Sequence, residues 1–470
     1  MITSKNFQYF LACCSLLVSL SFFVTQAHAL EVIARSGSTD DIQAAADQVE
    51  AAGGGTVYIP AGKYTFTGEV KSSDGINFIG KGQEGTILSG GKIDIDTRYY
   101  GKLDKPFRIS DISFVNGGSL RIDSCHDFRV DHVTVEADGG TAVSIVRSHR
   151  GVIDHCKVTQ SGEYYGIYII GDDVTWEEDI SKLLGSAEAI FIEDCTFDKI
   201  GHCVDGTAGG HYVFRYNVLT NSYSAAVDAH GPGYGADLGT RAVEIYNNLI
   251  DKTNLGGIGI RGGGGVIFNN RLQEKHIDLV LEGDSEGPYP VPMQIHDLWI
   301  WGNTFEGVPE EEQIHVTSWS GQEELAKECI QENRDYFLRA PTQELDGFTY
   351  TPYTYPHPRV EGIDQYNPID EGREEVRNRP NPFRAGKEVT LIEYNLNQFS
   401  NVTITIYDPL GQEVWRKSYE AGENGGRKLN SVPWDGRNLS GKVVANGGYI
   451  CRIWVEKENK YMVRKIAVAK

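Results

Sequence analysis

Along the middle of this 470-residue chain, a short apolar stretch that closes on Cys or Asn recurs every two to three dozen residues. Val152-Ile153-Asp154-His155-Cys156 and Phe191-Ile192-Glu193-Asp194-Cys195 are followed by similar stretches ending at Asn217, Asn248, Asn270 and Asn303. Successive closing residues lie about 39, 22, 31, 22 and 33 positions apart, close to the coil lengths of solenoids. A unit this short cannot bury its own apolar face, so stacked neighbours must supply the core. Short strands with Asn at each turn and few helical stretches make that stack a parallel β-helix. The chain is too long for one compact core, a limit that a solenoid escapes by growing along its axis.

The chain opens with Lys5, an apolar run from Phe7 to Val24, and Ala27-His28-Ala29. This is the pattern of a secretory signal with a small-x-small cleavage site, so residues 1–29 are expected to be a signal peptide cut after Ala29. No later stretch is long enough to span a bilayer. The formal net charge is -21. Phosphate neutralisation needs basic clusters, and none is found, which argues against nucleic acid as a partner. An anionic glycan stays open, because local Arg and His or a bridging cation override a distant field screened within about 10 Å.

Of the eight cysteines, Cys125, Cys156, Cys195, Cys203, Cys329 and Cys451 follow the signal. Export permits disulfides. Cys156 and Cys195 hold equivalent places in consecutive repeats, where parallel strands run about 4.8 Å apart. A disulfide between them and a ladder of two buried thiols both fit that spacing. No CxxC pair occurs, so a zinc site has little support from cysteine.

A short amphipathic helix is expected around Asp40 to Asp47, with acidic residues in its first turn. Gly53-Gly54-Gly55-Thr56-Val57-Tyr58-Ile59-Pro60-Ala61-Gly62-Lys63-Tyr64 then reads as turn, strand and turn. Helix and GGGTVYIPAGKY together resemble the N-terminal cap of the pectin lyase-like, right-handed parallel β-helix superfamily. Such a cap covers the open end of the apolar core. The stretches Gly239 to Asn248, Ile260 to Gly263 and Tyr350 to Pro358 are similar to bacterial repeat proteins of the same superfamily. The resemblance spans roughly residues 31 to 360 and implies a β-helix domain over 30–360. It leaves activity open among lyases, hydrolases, epimerases, esterases and binding proteins.

Residues 361–380, rich in charge and proline, read as a linker. Several alternating strands follow within 381–470, which implies a small antiparallel β-sandwich. Asn381-Pro382-Phe383, Ile406-Tyr407-Asp408, Trp434-Asp435-Gly436-Arg437-Asn438 and Asn446-Gly447-Gly448-Tyr449 resemble the FlgD-type immunoglobulin-like domain and related C-terminal sorting domains of exported bacterial proteins. The resemblance implies a module engaging secretion or surface-attachment machinery, in a protein that is secreted, periplasmic or at the bacterial cell surface. The full expectation is an all-β chain: a right-handed parallel β-helix followed by a small antiparallel sandwich.

In a β-helix, side chains form rows with one residue from each coil, alternately inward and outward. Anchoring each coil on its Asn or Cys places Val204, Val227 and Ile258 in one inward row. Asp205, Asp228 and Gly259 then point outward beside them. The next outward row holds Thr207, His230 and Arg261, with Glu282 as its expected continuation, and His202 begins the strand of Asp205. Two carboxylates about one strand apart cannot both stay charged cheaply, so one holds a proton or a cation sits between them. His230, Arg261, Asp228, Asp205 and His202 are therefore the candidate catalytic set. Asp205 and Asp228 are also candidate ligands for Ca²⁺. Arg241, Glu282, Tyr165, Tyr168 and Trp176 are candidate substrate contacts, near long coils at 172–186 and 231–239 where binding groups collect. Each also has a structural alternative: a turn-capping Asp, a satisfied strand-edge His, aromatics that only cover the solenoid.

Gly171-Asp172-Asp173 is similar to the paired aspartates of polygalacturonases, but the Asn-Thr-Asp, Gly-His-Gly and Arg-Ile-Lys companions are missing from matching coils. The Arg-x-Pro-x-x-Arg segment of the best-known pectate lyases is also absent. No catalytic residue is carried over from either family. The expected function is a secreted lyase cleaving an acidic polysaccharide by β-elimination. The alternatives are a glycoside hydrolase on the same fold and a non-catalytic, glycan-binding surface protein.

Overall fold

In a computed structural model, residues 29–469 are described, apart from 163, 173–178, 233–237, 252–255, 283–293, 319, 363–375, 380, 397–399, 409–411, 422–427 and 458–459. The expected signal peptide, Trp176 and most of the expected linker fall outside the described residues. The chain divides into two compact units, at Ile363 and Asp364.

The first unit is a right-handed parallel β-helix. Among the described residues it has three parallel sheets, of 12, 10 and 10 strands, and each strand pairs with its counterparts one coil before and after. Alternation along each strand decides what is buried: Val204, Val227, Ile258 and Ile277 point into a continuous apolar core. The recurring motif lies at the end of the 12-stranded sheet. In its last six coils the residue before the motif's closing position has a left-handed backbone: His155, Asp194, Tyr216, Asn247, Asn269 and Gly302, with φ between 52° and 64°. That conformation turns the chain sharply, and the next side chain enters the core.

There the asparagines form a buried column. Asn248 Oδ1 accepts from Asn217 N at 2.9 Å, while Asn248 Nδ2 donates to Asn270 Oδ1 at 2.9 Å and to the carbonyl of Phe214 at 2.8 Å. Asn217 and Asn303 continue the column on either side, and Cys195 N donates to Asn217 Oδ1 at 2.9 Å. Backbone groups that the turn leaves unpaired thus find partners without water. Cys156 and Cys195 extend the column as thiols, and all six described cysteines are free. Of the two sequence readings for this pair, the thiol ladder is the one present.

The cap helix runs over Thr39–Ala51, longer than expected, with Ser38 Oγ accepting from Asp41 N at 3.3 Å. Its Ile42, Ala45, Ala46 and Val49 cover the first coil. A second helix, Glu323–Cys329, closes the other end with Ala326 and Cys329. The segment Tyr350 to Val360 straps across the outside of the 12-stranded sheet. Its carbonyls at Tyr353 and Thr354 accept from Arg215, its Tyr350 hydroxyl donates to Glu244, and His357 N donates to Glu193. Among the described residues, no helix is long and apolar enough to cross a membrane.

The second unit is a small sandwich of a three-stranded and a five-stranded sheet around Trp434, Tyr394, Ile404 and Ile453. It is mixed rather than wholly antiparallel, because Phe383–Arg384 pairs in parallel with Val468–Ala469. The stretch expected as linker also ends earlier: Val376–Arg379 is a strand of the smaller sheet, anchored by buried Val376. The Trp-Asp-Gly motif makes a turn: Trp434 Nε1 donates to Arg437 O at 3.0 Å, and Asp435 Oδ1 accepts from Arg437 N at 3.0 Å.

Asn248→Ala removes one donor and one acceptor group from the buried column, and with them the side-chain hydrogen bonds to Asn217 N, Asn270 Oδ1 and the Phe214 carbonyl. A loss of about 2–4 kcal/mol is expected in chemical denaturation of the β-helix.

Candidate active site

Register places the charged groups. Asp205 pairs with Asp228 and Asp228 with Gly259, one residue beyond the buried Val204–Val227–Ile258 row, so these positions face outward on a ten-stranded sheet. His230 and Arg261 follow two residues on. Glu282 is not their in-register neighbour: Ile260 pairs with Leu279, which puts Val280 beside Arg261 and Glu282 two residues further along. It joins the cluster because the long Arg261 side chain reaches it.

His230 Nε2 lies between the carboxylates, 2.8 Å from Asp205 Oδ2 and 3.3 Å from Asp228 Oδ2. Arg261 takes both oxygens of Asp228, Nε donating to Oδ1 at 3.1 Å and one Nη to Oδ2. Its other Nη donates to Glu282 Oε1 at 2.5 Å, and Glu282 Oε2 accepts from Gly231 N at 2.7 Å. With both oxygens engaged and the side chain buried, Glu282 braces Arg261 rather than offering itself to a ligand.

The electrostatics split the two aspartates. Burial, then the charge of Asp228, holds the Asp205 carboxyl well above the usual range. Burial works the same way on Asp228, but the Arg261 guanidinium and then His230 overcome it and hold that carboxyl low. His230 is buried too, yet its two carboxylate partners push it up to about 9. His202 goes the opposite way, because burial lowers it and Asp228 offsets this only in part. Its Nδ1 lies 2.9 Å from the carbonyl of Ala225. A carbonyl only accepts, so Nδ1 carries the proton of the neutral ring and Nε2 keeps its lone pair.

Tyr165 stacks on Tyr168 with ring centres 4.5 Å apart and on His202 at 5.6 Å, and burial pushes the Tyr165 hydroxyl up to about 12. The two tyrosines support the imidazoles from the preceding coil. Arg241 is not brought to the cluster: it is buried before the strand Ala242–Tyr246 of the 12-stranded sheet, where its charge acts on Asp179.

Beside the cluster opens a cleft of about 400 Å³, walled by His202, Asp228, Arg261, Lys275, His276 and His315. Gly259 forms part of its floor. Lys275, His276, Asp278 and His315 were missed in the sequence. The signal for Asp278 and His315 was the outward row itself, which continues from Gly259 to Asp278 and then His315 on the next two coils.

The aspartate pair does not suit Ca²⁺. That ion takes six to eight oxygen ligands, whereas here both oxygens of Asp228 are held by Arg261 and Asp205 lies against an imidazole.

Residues 34–249 match the family described as rhamnogalacturonase A/epimerase, pectate lyase-like, and residues 381–458 match the FlgD Ig-like domain. The chain thus carries a pectin lyase-like β-helix and a FlgD-type immunoglobulin-like domain. No curated protein matches it. Among solved structures, it is similar to PorZ, a surface component of the type-IX secretion system of Porphyromonas gingivalis, at 20% identity and a TM-score of 0.15, over 20% of this chain and 11% of that one. It is similar to the mannuronan C-5 epimerase A-module of Azotobacter vinelandii at 14% identity and a TM-score of 0.35, over 60% and 87%. An alginate lyase from a Paenibacillus species matches at 13% identity and a TM-score of 0.33, over 61% and 99%.

The proton on His230 links this site to stability. A histidine raised to about 9 stabilises the fold fully below its unfolded value of about 6.5, and that contribution disappears as pH rises through 9. Unfolding of the wild type should lose up to about 3 kcal/mol between those limits, at about 1.4 kcal/mol per pH unit, and His230→Gln should flatten the profile. Arg261→Lys cannot reach Asp228 and Glu282 together, and should cost about 3 kcal/mol in the same measurement at neutral pH.

Proposed function

We propose that the β-helix is a secreted lyase acting on an acidic polysaccharide by β-elimination, with His202 as the general base. The observation that carries this reading is the His202 ring, which lines the cleft, is kept neutral by burial and is oriented by the Ala225 carbonyl so that Nε2 is its proton acceptor. In the proposed step, Nε2 takes the proton from C5 of a uronic acid. That electron pair forms the C4–C5 double bond, the C4–O4 bond breaks, and the leaving oxygen takes a proton from water. Lys275 supplies the positive charge that favours a sugar carboxylate and the charge developing on it, while the charge of Arg261 is taken up by Asp228 and Glu282. The pectate lyase-like family of residues 34–249 is in keeping with such a substrate. The FlgD-type domain would serve export or attachment at a bacterial surface.

Glycoside hydrolysis is the second reading, because the environments of Asp205 and Asp228 push one carboxyl up and the other down, as an acid and base pair requires. Burial weighs against it, since Asp205 is wholly enclosed and Asp228 is held on both oxygens by Arg261.

The purified chain is to be tested on a panel of polyuronates, following the ultraviolet absorbance of unsaturated ends alongside new reducing ends. Unsaturated product that falls by about 10²–10⁴-fold in His202→Ala would support the lyase. Its kcat/KM should rise with pH along a limb below the ordinary histidine range, because His202 must lose its proton and its value is lowered. Reducing ends without absorbance would favour the hydrolase, and binding without turnover would favour a glycan-binding module.

A further inference from the structure

At the far end of the cleft, two coils beyond the aspartate pair, the outward row presents a different donor set. Asp278 and His315 are register partners on adjacent strands, and His276 lies two residues before Asp278. Asp278 Oδ1 is 3.0 Å from His276 Nε2 and 3.0 Å from His315 Nδ1, and the imidazole rings meet nearly edge to face at 82°. One ligand atom from each residue lies within 4.8 Å of the others. A tetrahedral ion with bonds of about 2.0–2.1 Å separates neighbouring ligand atoms by roughly 3.3 Å, close to the 3.0 Å that separates Asp278 Oδ1 from each imidazole nitrogen.

The composition selects the ion. Two imidazoles and one carboxylate suit zinc and its transition-metal neighbours, whereas Ca²⁺ and Mg²⁺ require oxygen. Glycine at position 256 leaves room for the carboxylate: a Cβ there would stand 1.7 Å from Asp278 Oδ2. All three side chains line the cleft shared with His202 and Arg261. His315 is half exposed, which leaves remaining coordination positions open to water or to an oxygen of a bound ligand.

We propose that His276, Asp278 and His315 form a binding site for one divalent transition-metal ion of the zinc class, open toward the cleft. It is independent of the lyase reading, since the site holds whether the cleft cleaves a glycan or only binds one. It lies apart from the His202, Asp205 and Asp228 group, whose carboxylates already have cationic partners.

The test uses the untagged full chain, freed of metal by chelator and titrated with Zn²⁺ by calorimetry, with Co²⁺ as a spectroscopic probe. One Zn²⁺ per chain and visible Co²⁺ bands of a histidine-containing site are expected. Removing a residue behind a metal ligand already costs about 10- to 100-fold in affinity, so His315→Ala and Asp278→Asn should each weaken binding at least about tenfold. His315 is exposed enough for its variant to fold, which thermal unfolding checks. No stoichiometric Zn²⁺ binding, or equal affinity in His315→Ala, would overturn the proposal. So would loss in His202→Ala with retention in His315→Ala, which would put the ion on the other cluster.

Discussion

The column of buried amides from Asn217 to Asn303 is the constraint on which the rest of the first unit depends. Each amide uses its donor and acceptor groups on the neighbouring coils, so one coil cannot slide past another without stranding polar groups in the core. Register then propagates to every row. A slip of one residue would turn Asp205 and Asp228 inward and Val204 and Val227 outward. The functional geometry is thus a consequence of hydrogen bonds made on a different sheet.

Which face of the solenoid carries function follows from what is covered. The 12-stranded sheet has charged outer residues of its own, Glu193 and Arg215 in one row and Glu244 in another, but the strap from Tyr350 to Val360 seals them and takes up their hydrogen bonds. The ten-stranded sheet bearing Asp205 and Asp228 meets a cleft instead. Similar residue types thus hold a strap on one face and line a cavity on another.

Within the cluster, burial and pairing oppose each other. Three carboxylates taken out of water would be prohibitive alone, and Arg261 and His230 offset them, with Asp205 inclined to keep its proton. That balance makes Glu282 and Asp228 positioning groups for Arg261. It leaves His202, which has no tight ionic partner of this kind and a fixed tautomer, as the group at the cleft best able to accept a proton.

The repeat motif, the helical cap and the alternation of Val204 with Asp205 were legible in the sequence, because solenoid order is local: each coil repeats the pattern of its neighbour, and a period of two assigns inside and outside. The His230, Arg261 and Asp228 neighbourhood could be read the same way. Glu282 could not be placed in register, since its contact depends on side-chain reach, and Arg241, a candidate contact because it follows a long coil, lies before a strand of the 12-stranded sheet. The left-handed residue before each closing position, the strap and the helix at the far end emerged only in three dimensions. So did the meeting of His276, Asp278 and His315, because the row of Asp278 and His315 crosses coils of unequal length and His276 reaches it from two residues earlier. The sequence by itself determined the fold and the identity of the rows. The tertiary structure decided which rows are sealed, which charges cancel and which imidazole keeps a lone pair, since those depend on distances between coils that no local pattern encodes.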